Sequence, residues 1–148
     1  MRKLILFFLS FFILYAYEVK DAVKFQKEGN YQKAFQIYQQ YKDKNITALN
    51  NYAMMLYLGK GVEAKQGRAV RILEKALKKE KNPVLMFNLA NMYWYGYFDN
   101  EKIKAFIKRK EALKLFKEAA KLGYKPAKEF LKNNKLLDYN ITDVPKKK

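Results

Sequence analysis

The sequence predicts an all-α protein built as a short α-solenoid of antiparallel helix pairs. Three observations lead to this fold class. Apolar residues recur at spacings of three and four along most of the chain. Glycine and proline separate these stretches at regular intervals. A pattern also repeats, because Asn51-Tyr52-Ala53 returns 37 residues later as Asn88-Leu89-Ala90, and a period of this length is typical of stacked helix pairs.

The first predicted helix pair covers residues 17–44. The apolar spacing favours helices over Glu18–Glu28 and Tyr31–Lys42, with a break at Gly29. Gly29, Ala34 and Tyr38 have the spacing of a tetratricopeptide unit, in which glycine closes the inter-helix turn and alanine lets the helices approach.

The second pair is centred on the turn Gly59-Lys60-Gly61-Val62. Before it, the pattern predicts a helix over Ala48–Leu58 with Thr47 as its N-cap. Gly59 suits the left-handed position after a helix, and Gly61 permits a sharp reversal. A helix over Gln66–Lys79 follows.

The third pair departs from the second in its connection. Pro83 opens its first helix and Gly96 ends it. Ala69 and Ala76 return as Ala112 and Ala119 at an offset of 43 residues instead of 37, so six residues are inserted. The inserted sequence, approximately 98–109, is compatible with a helix and is expected to extend the second helix of the pair toward its N-terminus.

The chain is expected to end in a short helix and a tail. The pattern resumes over Ala112–Leu122 and stops at Gly123, and Pro126 starts a last helix that runs to about Asn133. Residues 134–148 hold one proline and three terminal lysines, which predicts a basic, partly disordered tail.

Residues 1–16 have the pattern of a secretory signal peptide. Arg2 and Lys3 precede the apolar run Leu4–Leu14, and Ala16 offers a small residue at the expected cleavage position. The run is shorter than the roughly 20 residues that a spanning helix needs. We therefore predict a periplasmic or secreted protein without a membrane-spanning segment after cleavage, and an uncleaved anchor is the alternative.

The composition excludes several kinds of catalytic and metal site. The chain has no cysteine and no histidine, and its only serine is Ser10, within the predicted leader. Ser-His-Asp and Cys-His nucleophilic catalysis and imidazole or thiolate zinc sites are therefore excluded from the mature chain. Carboxylate, lysine or tyrosine chemistry remains open, but no paired-carboxylate motif is present. We expect no cofactor and a non-catalytic protein.

The net charge of +17 indicates an affinity for anionic surfaces. Removal of Arg2 and Lys3 with the leader lowers it from +17 to +15. Most of the excess is lysine distributed over every helix, and the chain has only four arginines. Specific nucleic-acid sites favour arginine forks and stacking aromatics. The charge is therefore interpreted as a solvated face, with anionic wall polymer as a possible partner and no specific nucleic acid.

The repeat resembles the Sel-one-like repeat family, which is related to tetratricopeptide repeats, over residues 45–133. The first copy supplies the following family positions: Ala48, Asn51, Ala53, Met55, Gly59, Gly61, Val62, Ala69 and Ala76. The second copy supplies Asn88, Leu89, Met92, Tyr93, Gly96, Ala112, Ala119, Ala120 and Gly123, and a third begins at Ala127 and Leu131. The chain departs from the family at Lys65, where an Asp is usual, and at Tyr97-Phe98, which replaces Gly-Val.

The resemblance implies a right-handed superhelical scaffold that binds a partner protein or peptide on its concave face without a cofactor. Exported relatives rich in cysteine are credited with penicillin binding and weak β-lactamase activity, which is the alternative function. This chain lacks their cysteines. The first helix of each pair lines the concave surface in this family, and the residues that the core stripes leave for this surface are Asn51, Met55, Asn88, Asn91 and Tyr95. Trp94 and Tyr97, in the aromatic stretch 93–98, are expected in an exposed patch that marks a partner site, and a core position for most of this stretch is the alternative. For Asn51 and Asn88, a hydrogen-bonding role within the scaffold is the alternative.

Two Asn-x-Thr sequons predict N-glycosylation. They are Asn45-Ile46-Thr47 and Asn140-Ile141-Thr142, and each has an aspartate two residues before the asparagine. This longer form resembles the acceptor of bacterial general N-glycosylation systems. A chance occurrence of the pattern is the alternative.

Overall fold

The computed structural model describes residues 17–96 and 102–137, and for residues 102–106 it describes the backbone alone. The described chain is all-helical, as predicted, and consists of seven α-helices. Their bounds are α1 Val19–Lys27, α2 Tyr31–Tyr41, α3 Ile46–Leu58, α4 Gln66–Lys79, α5 Pro83–Tyr95, α6 Lys102–Lys121 and α7 Lys125–Asn133. The predicted leader, Tyr97, Asn140 and residues 138–148 of the predicted tail lie outside the described residues.

The chain forms two compact units that divide between Ala69 and Val70, inside α4. The boundary predicted at residue 44 therefore lies within the first unit. In the first unit α2 packs against both α1 and α3, and in the second unit α6 packs against both α5 and α7. This side-by-side packing of consecutive helices is repeat-like.

Alanine recurs among the buried residues. Nine alanines of the described chain have no exposed surface: Ala22, Ala34, Ala48, Ala53, Ala69, Ala90, Ala112, Ala119 and Ala127. A methyl side chain lets two backbones approach, and larger side chains such as Tyr38, Tyr52 and Phe116 fill the space between these contacts.

Asparagine begins three of the helices. Asn45 precedes α3, and its Oδ1 accepts the backbone N–H of Ala48 at 3.0 Å. The prediction that Thr47 caps this helix is therefore wrong, because α3 already begins at Ile46 and Asn45 accepts the N–H of its third residue. Asn82 caps α5 by accepting from Val84 and Leu85 at 3.0 and 3.2 Å, and Pro83 occupies the first turn as predicted.

The inserted residues lengthen α6, which confirms the predicted extension. Its 20 residues begin at Lys102, well before the repeat pattern resumes at Ala112. The last described residues are packed as far as Leu136, which is 3% exposed and whose N–H donates to the Leu131 carbonyl at 2.8 Å. The predicted tail from Asn134 thus begins with residues that belong to the fold.

No helix within residues 17–96 and 102–137 combines the length and the apolarity that crossing a membrane requires.

Candidate functional site

Among the described helices of the second unit, α5 alone carries no Lys, Arg, Asp or Glu. Leu85, Leu89, Met92 and Tyr93 form the predicted buried stripe. The opposite side is only partly covered, with Asn88 and Asn91 half-buried and Tyr95 62% exposed. These three residues follow the spacing i, i+3, i+7, so they lie on one face of the helix. An uncharged helix with an accessible amide and tyrosine face is the first candidate binding surface.

Asn91 is tied to its own helix. Its Nδ2 donates to the Phe87 carbonyl at 3.0 Å. This bond fixes the side-chain amide and leaves its Oδ1 without a hydrogen bond from any described residue. An oriented amide oxygen on a partly covered helix face is suited to accept an N–H from a bound polypeptide.

Trp94 and Tyr95 belong to an aromatic cluster that joins α5, α6 and α7, formed by Phe87, Trp94, Tyr95, Phe116, Tyr124 and Phe130. Phe116 is fully buried and stacks on Phe130 with a centroid distance of 4.0 Å. Trp94 meets Phe130 edge-on at 5.9 Å, and Tyr95 meets it at 6.4 Å. The cluster holds Trp94 half-buried, while Tyr95 remains largely open to solvent.

α3 is the equivalent helix of the first unit, and it also carries no Lys, Arg, Asp or Glu. Its candidate residues lie differently from those of α5. Met55 is 1% exposed, so the expectation that its side chain lies on an accessible face is wrong. The sequence pattern missed this because Met55 adjoins the buried stripe of Tyr52 and Leu56.

Asn51 takes part in the scaffold. Its Oδ1 accepts a hydrogen bond from Asn50 Nδ2 at 3.4 Å, and its side chain lies close enough to the hydroxyl of Tyr38 on α2 to oppose the rise in that group's pKa. The same hydroxyl donates to Gln26 Oε1 on α1 at 2.9 Å. Tyr38 is fully buried, and burial raises the pKa of its hydroxyl. The polar contacts therefore join three helices, and they favour the scaffold alternative for Asn51.

An open cleft of about 520 Å³ lies on the second unit among α4, α5 and α6. We call it the α4–α6 cleft. Its lining combines three carboxylates, three ammonium groups and four larger apolar or aromatic side chains: Glu74, Glu111, Glu118, Lys78, Lys108, Lys114, Leu77, Leu89, Tyr93 and Leu115. Sequence reasoning did not find this site, because its residues come from three helices and share no motif.

Three of the six charged side chains that line the α4–α6 cleft are paired with one another. Lys108 Nζ lies 2.8 Å from Glu111 Oε2, 3.9 Å from Glu74 Oε1 and 4.2 Å from the centre of the Tyr93 ring. The Tyr93 hydroxyl donates to Glu74. Burial, together with this hydrogen bond and the charge of Glu74, raises the pKa of Tyr93 far above its usual range.

This arrangement favours a structural role over a catalytic one. A tyrosine whose pKa is raised stays protonated at neutral pH, so it cannot serve as a general base or a phenolate nucleophile there. Lys108 is held in place by two carboxylates and the face of the Tyr93 ring. Within the described residues, no group of three or more Asp or Glu side chains is placed to hold a metal ion.

Asn45, the first glycosylation candidate, is exposed in the connector between α2 and α3. The second glycosylation candidate, Asn140, lies outside the described residues.

Comparisons of the chain with protein-family models, with curated proteins and with solved structures found no match.

Proposed function

We propose that this protein is an exported, non-catalytic scaffold of the bacterial cell envelope that binds a partner protein or peptide through the uncharged faces of α3 and α5. In this proposal the helix pairs stack as a short right-handed α-solenoid of Sel-one-like repeats, and the first helices of the pairs line its concave surface.

The observation that carries the proposal is the absence of charge on a partly exposed helix. Charged residues make up 30% of the chain, yet none falls among the 13 residues of α5. A surface helix of a globular protein normally places charged residues on its outer face. The cores of protein interfaces are instead depleted of charge and enriched in aromatic residues and methionine. The outer face of α5, with Tyr95 and Trp94, has the composition of an interface.

α3 repeats this property in the first unit. All 13 of its residues are uncharged, and Ile46 and Leu58 are 41% and 54% exposed at its two ends. The two helices occupy equivalent positions of the sequence repeat, and both lack the charged residues that are frequent in the rest of the chain. Chance placement of the lysines in a single helix does not account for it.

The chemistry of the α5 face suits a polypeptide partner. Asn91 Oδ1 is positioned to accept a backbone N–H, and the exposed Tyr95 ring offers apolar area with a hydroxyl at its tip. Tyrosine and tryptophan are the residues that most often dominate binding energy at protein interfaces.

Site-specific photo-crosslinking in the native envelope tests the proposal. A photoreactive amino acid at position 95 is expected to capture one defined partner polypeptide. The same amino acid at position 128, on the exposed side of α7, is the matched control and is expected to capture none. Equal labelling from the two positions would count against the α5 face as the partner-binding surface.

Affinity measurements with the captured partner sharpen the result. Tyr95→Ala is expected to weaken binding by about tenfold, since truncation of an interface anchor costs about 1 to 2 kcal/mol. Leu122→Ala removes a side chain of similar exposure from outside the α5 face and is expected to leave the affinity unchanged. Binding that disappears in high salt and is insensitive to Tyr95→Ala would instead favour the alternative partner, an anionic wall polymer.

A further inference from the structure

The role of Asn45 as a helix cap explains only part of the sequon Asn45-Ile46-Thr47. The backbone of Asn45 is extended, with φ −139° and ψ 120°, and its side chain is exposed. The Oδ1 atom caps α3 by accepting the Ala48 N–H at 3.0 Å. The Nδ2 atom makes no hydrogen bond with any residue that the structure describes. The oxygen of the amide is therefore used and its nitrogen is available.

Capping explains the asparagine but not the threonine that follows it. Asn30 and Asn82 cap α2 and α5 with the same atom. Neither is followed by Ser or Thr two positions later, because Gln32 and Val84 stand there. Thr47 is exposed in the first turn of α3, and no described residue forms a hydrogen bond with its side chain. The fold thus gives no reason for a threonine at this position.

We infer that Asn45 is an N-glycosylation site that remains accessible on the folded protein. The inference rests on the export that the proposed function includes, and it is independent of partner binding by α5. Asn45-Ile46-Thr47 supplies the acceptor pattern, and the structure places it in an exposed connector ahead of a helix, where a glycan meets no packed surface.

The modification is compatible with the cap. Asn45 Nδ2 attacks the anomeric carbon of a glycosyl diphosphate donor, a carbon–nitrogen bond forms, and the diphosphate leaves with the bonding electron pair. One amide proton is lost to a base, and no oxidant or reductant is needed. The product is still a carboxamide with its carbonyl oxygen intact, so Oδ1 continues to accept the Ala48 N–H.

Mass spectrometry of the protein purified from its native cells tests the inference. Tryptic digestion separates residues 45–60 from residues 136–146, so the two sequons are read on different peptides. The peptide of residues 45–60 is expected to carry a glycan mass on Asn45. Thr47→Ala keeps the cap and is expected to abolish that mass, and Thr47→Ser keeps the sequon and is expected to retain it. Thr142→Ala is the matched control and is expected to leave the modification of Asn45 unchanged.

The peptide mass and the intact mass together decide whether Asn45 is glycosylated. An unmodified peptide of residues 45–60 overturns the inference. The intact mass of the same sample also shows whether residues 1–16 have been removed. An unmodified chain without its leader overturns glycosylation alone, and an unmodified chain that keeps its leader and fractionates with the cytoplasm also counts against the export on which the inference depends.

Discussion

Gly59 and Gly96 occupy equivalent positions in the sequence repeat, but their backbones differ. Gly59 has φ 68° and ψ 29°, the left-handed conformation that ends α3, and its N–H donates to the Met55 carbonyl. Gly96 has φ −61° and ψ 142°, which any residue adopts without strain. The two turns therefore share a residue type without sharing a conformation.

The two units also differ in the kind of contact that holds their own helices together near these turns. In the first unit the backbone itself makes the contact, because Gly61 lies directly against the start of α2. A Cβ at position 61 would lie 2.4 Å from the Tyr31 carbonyl carbon and 2.7 Å from the Gln32 nitrogen. In the second unit side chains join the helices, through Tyr93, Glu74 and Lys108. A backbone contact tolerates no added atom, whereas a side-chain contact can be weakened one bond at a time.

The largest expected effect is that of Gly61→Ala. The left-handed φ of 72° and the overlap with the Tyr31 backbone both oppose a methyl group. We expect the free energy of unfolding to fall by about 3 kcal/mol. Urea denaturation followed by circular dichroism measures this change.

Gly29→Ala is the matched control for Gly61→Ala. Gly29 has a similar φ of 81°, but a Cβ there has no atom within 4 Å. We expect a loss of only about 1 kcal/mol, from backbone strain alone. Equal losses in the two variants would show that the contact between Gly61 and Tyr31 carries no energetic weight.

Tyr93→Phe tests the side-chain contact of the second unit. The substitution removes the hydrogen bond to Glu74 and leaves the ring under Lys108. A hydrogen bond to a charged group contributes about 1.5 kcal/mol, so we expect a loss of that order in the free energy of unfolding. Tyr124→Phe, a partly buried tyrosine of the same unit, serves as the control, and a loss as large in that variant would contradict a specific role for Glu74.

The pH dependence of stability gives a separate measure of Tyr93. Its pKa is raised in the folded state, so its contribution to stability is complete below the unfolded tyrosine value of about 10 and is lost as the pH rises above that value. Between pH 10 and 11 the wild type is expected to lose up to about 1.4 kcal/mol more than Tyr93→Phe, which has no titrating group there. Chemical denaturation at several pH values measures the difference, and parallel curves would exclude a buried protonated Tyr93.

The smallest expected effect is that of Gly96→Ala. Because φ is negative and the backbone extended, we expect the free energy of unfolding to change by no more than about 0.5 kcal/mol. Thermal melting of the variant beside Gly61→Ala checks this expectation. A large loss in Gly96→Ala would show that the second turn is as demanding as the first.

Much of the local structure could be predicted from the sequence. The apolar spacing located the seven helices to within a few residues, and Pro83 and the alanine positions were correctly interpreted. The start of α3 was misplaced by two residues, because Asn45 and Thr47 are both good caps and only the hydrogen bond to Ala48 distinguishes them.

The candidate site was less predictable. Asn88, Asn91 and Tyr95 share a helix face, which follows from their spacing alone. The burial of Met55 and the link between Asn51 and Tyr38 depend on which neighbouring helix covers which side of α3. The periodicity of a single helix shows how wide its apolar stripe is. It does not show how far the neighbouring helices bury the residues at the two edges of that stripe.

The sequence by itself determined the fold class, the helix ends marked by glycine and proline, and the absence of charge from α3 and α5. These properties depend on residues within one or two helical turns of each other. Only the tertiary structure decided that Gly61 touches Tyr31, which is 30 positions earlier in the numbering, and that Lys108 meets Tyr93 and Glu74. Such contacts join separate helices, and they are set by how the helices pack and not by the preference of any one segment.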